Sequence, residues 1–478
     1  MSPVVLTGFD LALDEVLRVA RDHEAVEIAP EAIRRMRASR DVVEAALRQG
    51  EAIYGLTTGV GVLKRIPVSH ADLQGFDDRL IRFHRVAQGR DAPPDVARAA
   101  ALRLANAFAS GSPGVRPELA DRLVEALNSN GAIRVRTLGS IGQADLASMA
   151  DLATSVLEGF ELAPGEGLAI LNNDSFSTGW AALALWDAVR LADSMDVSGA
   201  LSLEGFAANL SVLHPAVAET RPYPGLRRSH DRLRYLLGGS YLWEPDAARN
   251  LQDPLTFRNL ANVQGACRDA LDHALGQLAI ELNASQGNPI VVVEEGRVVG
   301  TANFEILPLA AAIDYVKIVL ASAITSAGER VVKMLETPWP GLPTGLAAEE
   351  DTPDPGLSYL GIATQSLVAE ARLLGQPVSF ELASTAHAEG IEDRMTMAPL
   401  AARRLAEMID LGCRVVACEG VVAAQAVEVR GVSPLGRGTE EAVRLIRRLV
   451  PFLESGDTVP DMEPVVDLVR SGGLAQPG

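Results

Sequence analysis

Residues 306–327, ILPLAAAIDYVKIVLASAITSA, form the most apolar stretch of this 478-residue chain. Their length and composition predict a long helix, over about residues 306–337, and a second long helix is expected over about residues 260–285. Asp314, Lys317 and Ser322 interrupt the apolar run, so we expect a helix buried in a protein core and not a membrane span. Long apolar helices that pack side by side predict a central bundle.

The other apolar residues also follow a helical period. After Asp145 they are spaced by 3, 4, 3 and 1 positions, which predicts a helix capped by Asp145 and ending near Gly159. Only Ile290–Val293 and Arg297–Val299 resemble strands, and they predict one small hairpin. The sequence therefore predicts an all-α fold with a long central helical bundle, an N-terminal helical lobe and at most a few short strands.

The predicted division places the N-terminal lobe in residues 1–195 and the central bundle with the C-terminal helices in residues 196–478. Proline and glycine cluster in residues 338–356, which predicts a loop of functional length. The polar tail after about Ser455 is expected to be loosely held.

The charge balance excludes several classes of partner. The formal net charge is −19 and the isoelectric point is about 4.9, so a basic face for nucleic acid or for an anionic membrane is not expected.

Three scattered cysteines predict buried thiols in a reducing cytoplasm and no metal site. Residues Met1–Asp14 lack the basic start and the apolar run of a signal peptide, so we expect a cytoplasmic protein.

Five short segments contain residue types that serve in active sites. They are Tyr54–Gly61 (YGLTTGVG), Asn172–Asp174, Gln252–Pro254 with Arg258, Asn303–Glu305, and Glu389–Arg394. Each has a structural alternative: a packed glycine-rich loop, a helix cap, a turn with a surface cation, the start of the long helix, and a solvated charge run. None of the five is decisive by itself.

In this order, the five segments resemble the histidine ammonia-lyase family and its phenylalanine and tyrosine ammonia-lyase relatives. Gly139–Gly142 followed by Asp145–Ala147 resembles the stretch around that family's prosthetic group, and Glu166–Asn172 resembles another of its segments. Asn288-Pro289 and Glu329-Arg330 add to the likeness, which runs from about residue 50 to 400. The resemblance implies a homotetramer whose active sites are assembled from loops of several subunits.

Three positions depart from the family's pattern. The family places Ala-Ser-Gly before Asp-Leu-Ala, and those residues cyclise to methylideneimidazolone, the electrophile that activates the amino acid for ammonia loss. Here only Gln143 and Ala144 stand between Gly142 and Asp145, so no serine is present to become the methylene group. In addition, Leu255 replaces a tyrosine. The third departure is Glu305, where the histidine enzymes usually carry histidine.

The resemblance also implies roles for individual side chains. Tyr54 would be the base, with His84 and Glu392 as candidates to perturb or replace it. Arg258 would hold a substrate carboxylate with its planar fork. The predicted substrate-binding residues are Asn172, Gln252, Arg258, Phe304, Phe83 and Leu255. His84 and Glu392 favour a substrate with a polar or cationic end; a surface-loop histidine and a structural ion pair are their alternative interpretations.

Three functional hypotheses follow. The first is an enzyme without methylideneimidazolone and without any other cofactor, which abstracts a proton from a small amino-acid-like carboxylate in an elimination, addition, cyclisation or isomerisation. Elimination would then need a good leaving group, such as a quaternary ammonium. The second is a catalytically silent relative that binds a small molecule or a partner subunit. The third, an ordinary ammonia-lyase, requires an electrophile that the sequence does not supply.

Overall fold

The computed structural model describes residues 3–73, 75–129, 131–336, 338–349, 353–380 and 390–475, and their fold is mostly helical, which confirms the predicted fold class. The helices are α1 Leu13–Ala20, α2 Pro30–Gln49, α3 His70–Leu73, α4 Phe76–His84, α5 Pro94–Ala109, α6 Pro117–Asn128, α7 Leu146–Val156, α8 Glu166–Leu171, α9 Ser175–Phe206, α10 Pro215–Thr220, α11 Pro224–Leu236, α12 Leu255–Arg258, α13 Leu260–Glu281, α14 Leu307–Leu335, α15 Ser358–Leu374, α16 Ala398–Arg430, α17 Arg437–Arg447 and α18 Glu463–Arg470.

The strands are short and pair two by two. They are β1 Val4–Leu6, β2 Val26–Ile28, β3 Gln88–Asp91, β4 Arg136–Leu138, β5 Ile290–Val292 and β6 Arg297–Val299. Strands β1 and β2 are parallel, whereas β3–β4 and β5–β6 are antiparallel. The β5–β6 pair is the predicted hairpin, with Ile290 opposite Val299.

The chain divides into two compact units. Unit 1 comprises Met1–Ala184, Ala274–Ile313 and Val378–Arg403, and unit 2 comprises Leu185–His273, Asp314–Pro377 and Arg404–Gly478. Unit 1 shares its first stretch with the predicted N-terminal lobe, but it also takes in two later segments. The chain therefore passes between the units several times, and helices α9, α13, α14 and α16 each contain residues of both units.

Helix α14 contains most of the apolar stretch of residues 306–327. By length and composition it is able to cross a membrane, but 56% of its most apolar window is buried inside the protein. The two charged residues of that stretch, Asp314 and Lys317, are buried and form an ion pair of 2.7 Å one helical turn apart. A buried, paired charge is typical of a core helix that packs against other protein elements, as expected from the sequence.

Two details differ from the sequence-based expectation. Asp145 precedes α7, but its carboxylate does not cap that helix, because it binds Ser177 instead. The tail is more ordered than predicted, since α18 buries Val465 and Val469 on one face. That helix has only eight residues, and the alternation of its apolar and charged residues was too short a pattern to predict it from the sequence.

Candidate active site

Unit 1 contains a cavity of about 760 Å³. Its lining includes five of the nine residues to which the resemblance assigned catalytic or substrate-binding roles: Tyr54, His84, Asn172, Phe304 and Glu392. These residues come from five separate stretches of chain, so the cavity is assembled by the fold and not by one local motif. A pocket with a few convergent polar groups is the usual form of a small-molecule site.

The loop after Ile53 presents Tyr54 to the cavity. Gly55 and Gly61 adopt positive φ angles of 68° and 56°, which glycine tolerates without strain. The turn brings the Gly61 N–H within 2.9 Å of the Tyr54 Oη, to which it donates a hydrogen bond. Burial raises the pKa of Tyr54, the Gly61 hydrogen bond lowers it, and the charge of Glu392 raises it further, with a net upward shift. In this state the phenol is therefore protonated at neutral pH, and the lowered pKa expected of a resting base is not found.

His84 ends helix α4 and lines the cavity next to the Tyr54 loop. Its Nδ1 lies 2.8 Å from the Leu80 carbonyl oxygen, which accepts a hydrogen bond from an Nδ1–H. In the neutral ring this bond assigns the proton to Nδ1 and leaves Nε2 as an acceptor. Phe83, in contrast, is 76% exposed and does not belong to the cavity lining. His84 and Phe83, both of which were predicted to be site residues, are thus divided between the cavity and the surface.

Asn172 follows helix α8 at the buried side of the cavity. Its Nδ2 donates a 2.9 Å hydrogen bond to the backbone oxygen of Asn288. This bond fixes the amide plane and ties the end of α8 to the segment before the β5–β6 hairpin. Phe304 lines the same cavity and comes directly before Glu305.

The segment Gly142–Ala144 contains no serine from which a methylideneimidazolone ring could be made. The Gly142 carbonyl accepts a 2.5 Å hydrogen bond from Thr396 Oγ1, and Ala144 has a φ of 59°. Gln143 forms an antiparallel bridge with Glu305, and its Nε2 donates a 2.8 Å hydrogen bond to Glu305 Oε2. The segment offers no hydroxyl group, and its backbone is engaged by neighbouring chain.

The nearby Ser140 is also committed elsewhere. Its hydroxyl donates to Asp145 Oδ1 at 3.0 Å, and the same carboxylate accepts from the Ser177 N–H at 2.7 Å and from the Ser177 hydroxyl at 2.8 Å. Burial raises the pKa of Asp145 to about 6, although these hydrogen bonds oppose the shift. Ser140 and Asp145 therefore form a structural anchor under the cavity wall.

Two functional features of the cavity were not predicted from the sequence. The first is the Gln143–Glu305 pair, whose members are 162 positions apart and belong to two unrelated segments. The second is Arg394, whose Nε lies 3.4 Å from Glu305 Oε2. Gln143 and Glu305 were each visible as departures from the family's pattern, but only the folded chain brings them together.

Gln252, Leu255 and Arg258 lie in unit 2, are exposed, and do not line the cavity. Helix α12 carries Leu255 and Arg258. It is anchored by Phe257, which is buried and stacks on Phe206 with ring centroids 4.0 Å apart. One side of this short helix is thus fixed in the core, while Arg258 extends into solvent. The predicted carboxylate clamp is presented on a surface of this chain.

Comparison with known proteins gives consistent results over nearly the whole chain. Residues 11–159 and 152–448 match the family described as aromatic amino acid lyase. A histidine ammonia-lyase from Anaeromyxobacter sp. (strain K) is 33% identical, and the alignment covers 99% of this chain and 100% of that protein.

Solved structures agree with this result. Ergothionase from Treponema denticola, an ergothioneine-degrading enzyme in complex with desmethyl-ergothioneine sulfonic acid, superposes with a TM-score of 0.93 at 26% identity over 99% of both chains. Tyrosine aminomutase from Streptomyces globisporus gives a TM-score of 0.92 at 28% identity, over 99% of this chain and 98% of that one.

Proposed function

The chain belongs to the aromatic amino acid lyase family, and we propose that it is an enzyme that acts without methylideneimidazolone. The proposed reaction is proton abstraction from a small carboxylate substrate, followed by elimination of a quaternary ammonium group. The observation that carries this proposal is the pairing of Gln143 with Glu305 on the wall of a cavity that retains Tyr54, Asn172 and Phe304.

The proposed step balances without an electrophile or an added cofactor. The base takes a proton from the carbon next to the carbon that bears the nitrogen and the carboxylate. The electron pair of that C–H bond forms the C=C bond, and the C–N bond breaks toward nitrogen. A quaternary ammonium departs as a neutral tertiary amine and leaves an unsaturated carboxylate. A plain amino group lacks this ability, because it would have to depart as an amide anion or be protonated first.

The charges of the cavity support a cationic substrate. The described residues that line the cavity include three acidic side chains, Glu305, Glu392 and Asp393. The basic side chains among them are Arg394 and His84. A fixed positive charge beside the phenol would lower the raised pKa of Tyr54 and favour the phenolate. The similarity to an ergothioneine-degrading enzyme agrees with it, since ergothioneine is a trimethylammonium betaine.

Arg258 would complete this site from another subunit. It is exposed in unit 2 and does not line the described cavity of its own chain, and its planar fork is well suited to a substrate carboxylate. We therefore propose a homotetramer in which a neighbouring copy supplies Arg258, together with Gln252 and Leu255. Sedimentation equilibrium at micromolar concentration should give a tetramer, and a stable monomer at that concentration would contradict the arrangement.

The alternative hypothesis is a catalytically silent relative that binds a small molecule or a partner subunit, and one observation favours it. The pKa of Tyr54 is shifted upward in this state, so the phenol that is proposed as the base is protonated before a ligand binds. In this alternative the same cavity would bind a small cationic carboxylate without turning it over.

A substrate panel analysed by mass spectrometry separates these possibilities. The panel pairs each amino acid with its trimethylated betaine: histidine, tyrosine and phenylalanine, with ergothioneine as a further betaine. The proposal predicts release of trimethylamine and an unsaturated acid from at least one betaine, and no ammonia from the matching amino acid. Ammonia release from the amino acids would support the hypothesis of an ordinary ammonia-lyase. Binding of a betaine without any product would support the hypothesis of a catalytically silent relative.

A further inference from the structure

Glu305 is a cavity-lining carboxylate that three contacts hold in one orientation. Its Oε2 accepts the hydrogen bond of 2.8 Å from Gln143 Nε2 and lies 3.4 Å from Arg394 Nε. Its Oε1 accepts from the Leu307 N–H at 3.2 Å, at the start of helix α14. The side chain nevertheless keeps 32% of its surface exposed. It is therefore fixed in place and still accessible to a ligand in the cavity.

We propose that Glu305 is the counter-charge for the cationic nitrogen of the substrate, and that Gln143 is the residue that positions it. This inference rests on the proposed function, because it assigns the subsite for the quaternary ammonium of that reaction. Residues 142–144 correspond to the stretch in which the family makes the group that acts on the leaving nitrogen. In this chain the same stretch contributes an amide that orients a carboxylate.

The chemistry of the leaving group fits a fixed carboxylate and not a proton donor. A quaternary ammonium carries no N–H, so a ligand-binding site recognises it through charge and apolar contact. Glu305 supplies the charge, and Phe304 lines the same cavity and supplies an aromatic ring. At about 5 Å and an effective dielectric constant of about 20, the attraction of one such charge pair corresponds to at most roughly 200- to 300-fold in affinity, and the cost of desolvating both charges reduces that value.

Glu305 would act on binding more than on the rate of the chemical step. The nitrogen is fully charged in the bound substrate, loses charge as the C–N bond breaks, and is neutral in the departing amine. The attraction to Glu305 therefore weakens along the reaction, and it stabilises the ground state more than the transition state. Removing the charge should raise KM while kcat is unchanged or higher. A residue that only supports the fold would lower kcat or affect every ligand alike.

The test uses the variant Glu305→Gln in the full-length protein, with Glu294→Gln on the exposed turn of the β5–β6 hairpin as the matched control. Kinetics with the betaine that the parent turns over should show KM raised roughly 10-fold or more and kcat not reduced. Gln143→Ala should shift KM in the same direction by a smaller factor. Binding of 3-(imidazol-4-yl)propanoate, which has the carboxylate but no ammonium, should not be weakened, because the charge of Glu305 repels an anionic ligand.

A second arm keeps the inference testable if no betaine is turned over. Tetramethylammonium cannot undergo elimination. Its binding can be followed by calorimetry in the parent, in Glu305→Gln and in the control Glu294→Gln. Weaker binding in Glu305→Gln alone supports the subsite even if the proposed reaction fails. Equal binding of tetramethylammonium in all three proteins overturns it. Equally weakened binding of tetramethylammonium and of the propanoate in Glu305→Gln also overturns it, because Glu305 would then support the fold and not recognise the cation.

Discussion

The Asp77 carboxylate accepts a hydrogen bond of 2.6 Å from the backbone N–H of Gly167, and so joins the start of α4 to the first turn of α8. Its second oxygen accepts from the Gly165 N–H at 3.2 Å. Helix α4 ends at His84, and α8 leads to Asn172, so this single carboxylate connects two walls of the cavity. A methyl group in place of the Gly167 hydrogen would lie 2.8 Å from Asp77 Oδ1, which explains why glycine stands there.

Asp77 should make the stability of the protein fall as the pH rises toward 7. Burial raises its pKa to about 7, against the opposing hydrogen bonds from Gly167 and Gly165, and the charge of Glu166 adds to the rise. Between about pH 4 and pH 7 the folded state then binds more protons than the unfolded state. The contribution of Asp77 is therefore complete below its unfolded pKa and is lost as the pH rises through 7.

The variant Asp77→Asn keeps an acceptor for Gly167 but cannot ionise. The free energy of unfolding, measured with urea from pH 5 to pH 8, should increase in the variant relative to the parent by roughly 1–3 kcal/mol over that range. One pKa unit corresponds to about 1.4 kcal/mol. Asp78→Asn, which changes the neighbouring and partly exposed carboxylate, is the control and should follow the parent closely, because the charge of Asp78 contributes least to the raised pKa of Asp77. If the free energies of unfolding of Asp77→Asn and the parent differ by the same amount at every pH, Asp77 does not titrate in this range.

The intact mass of the purified protein should equal the mass of its sequence. Ring formation from an Ala-Ser-Gly segment removes two waters, and the segment Gly142–Ala144 has no serine. A histidine ammonia-lyase measured in parallel should show the loss of two waters. A deficit of that size that peptide mapping places in residues 139–145 of this chain would refute independence from methylideneimidazolone.

Arg258 should control the affinity for the substrate carboxylate without affecting the fold. It is exposed on α12, so its replacement should change stability by no more than about 0.5 kcal/mol. Arg258→Lys keeps the charge and loses the planar fork, and it should weaken substrate binding by roughly 1–3 kcal/mol. Arg258→Ala should weaken it at least as much. Arg227→Lys, on the exposed face of α11, is the control. Parent-like binding of the substrate by both Arg258 variants would remove this residue from the site.

Local patterns predicted helices α7, α13 and α14, whereas the cavity depended on contacts that no local pattern contains. The period of residues 306–327 was sufficient for α14, because burial of an apolar face dominates the formation of a long helix. Tyr54 and Asn172 could be assigned through the resemblance, and the fold brings both to one cavity. The bond between Gln143 and Glu305 could not be predicted, because a hydrogen bond across 162 positions depends on tertiary structure and not on spacing.

Asp145 illustrates the same limit at short range. Its position before α7 favours a helix cap, and the preference of aspartate for that position is real. Ser177 donates hydrogen bonds from its backbone N–H and from its hydroxyl to the same carboxylate. The carboxylate binds these two donors and does not bind the N–H groups at the helix terminus. A propensity describes the average environment, and tertiary contacts decide the individual case.

Tyr54 should be the residue on which turnover depends. Its hydroxyl lines the cavity and accepts the hydrogen bond from Gly61, a donor that stabilises the phenolate more than the phenol. Burial and Glu392 oppose ionisation, so the ligand-free phenol is protonated. A bound quaternary ammonium would offset the charge of Glu392 and lower the pKa of the phenol. The base is therefore expected to become active only when its cationic substrate is present.

Tyr54→Phe deletes the hydroxyl and keeps the ring, so it should reduce turnover by roughly 10²-fold or more, the usual scale for a lost general base. Stability should change by about 1 kcal/mol or less, because the Gly61 N–H loses one partner in a partly exposed loop. The exposed Tyr223→Phe is the matched control and should retain full activity. In the parent, kcat/KM should rise with pH as the phenol ionises, and that rise should be absent in Tyr54→Phe. Full activity of Tyr54→Phe with an unchanged pH profile would show that the ring only packs the loop, and it would move the base to His84 or Glu392.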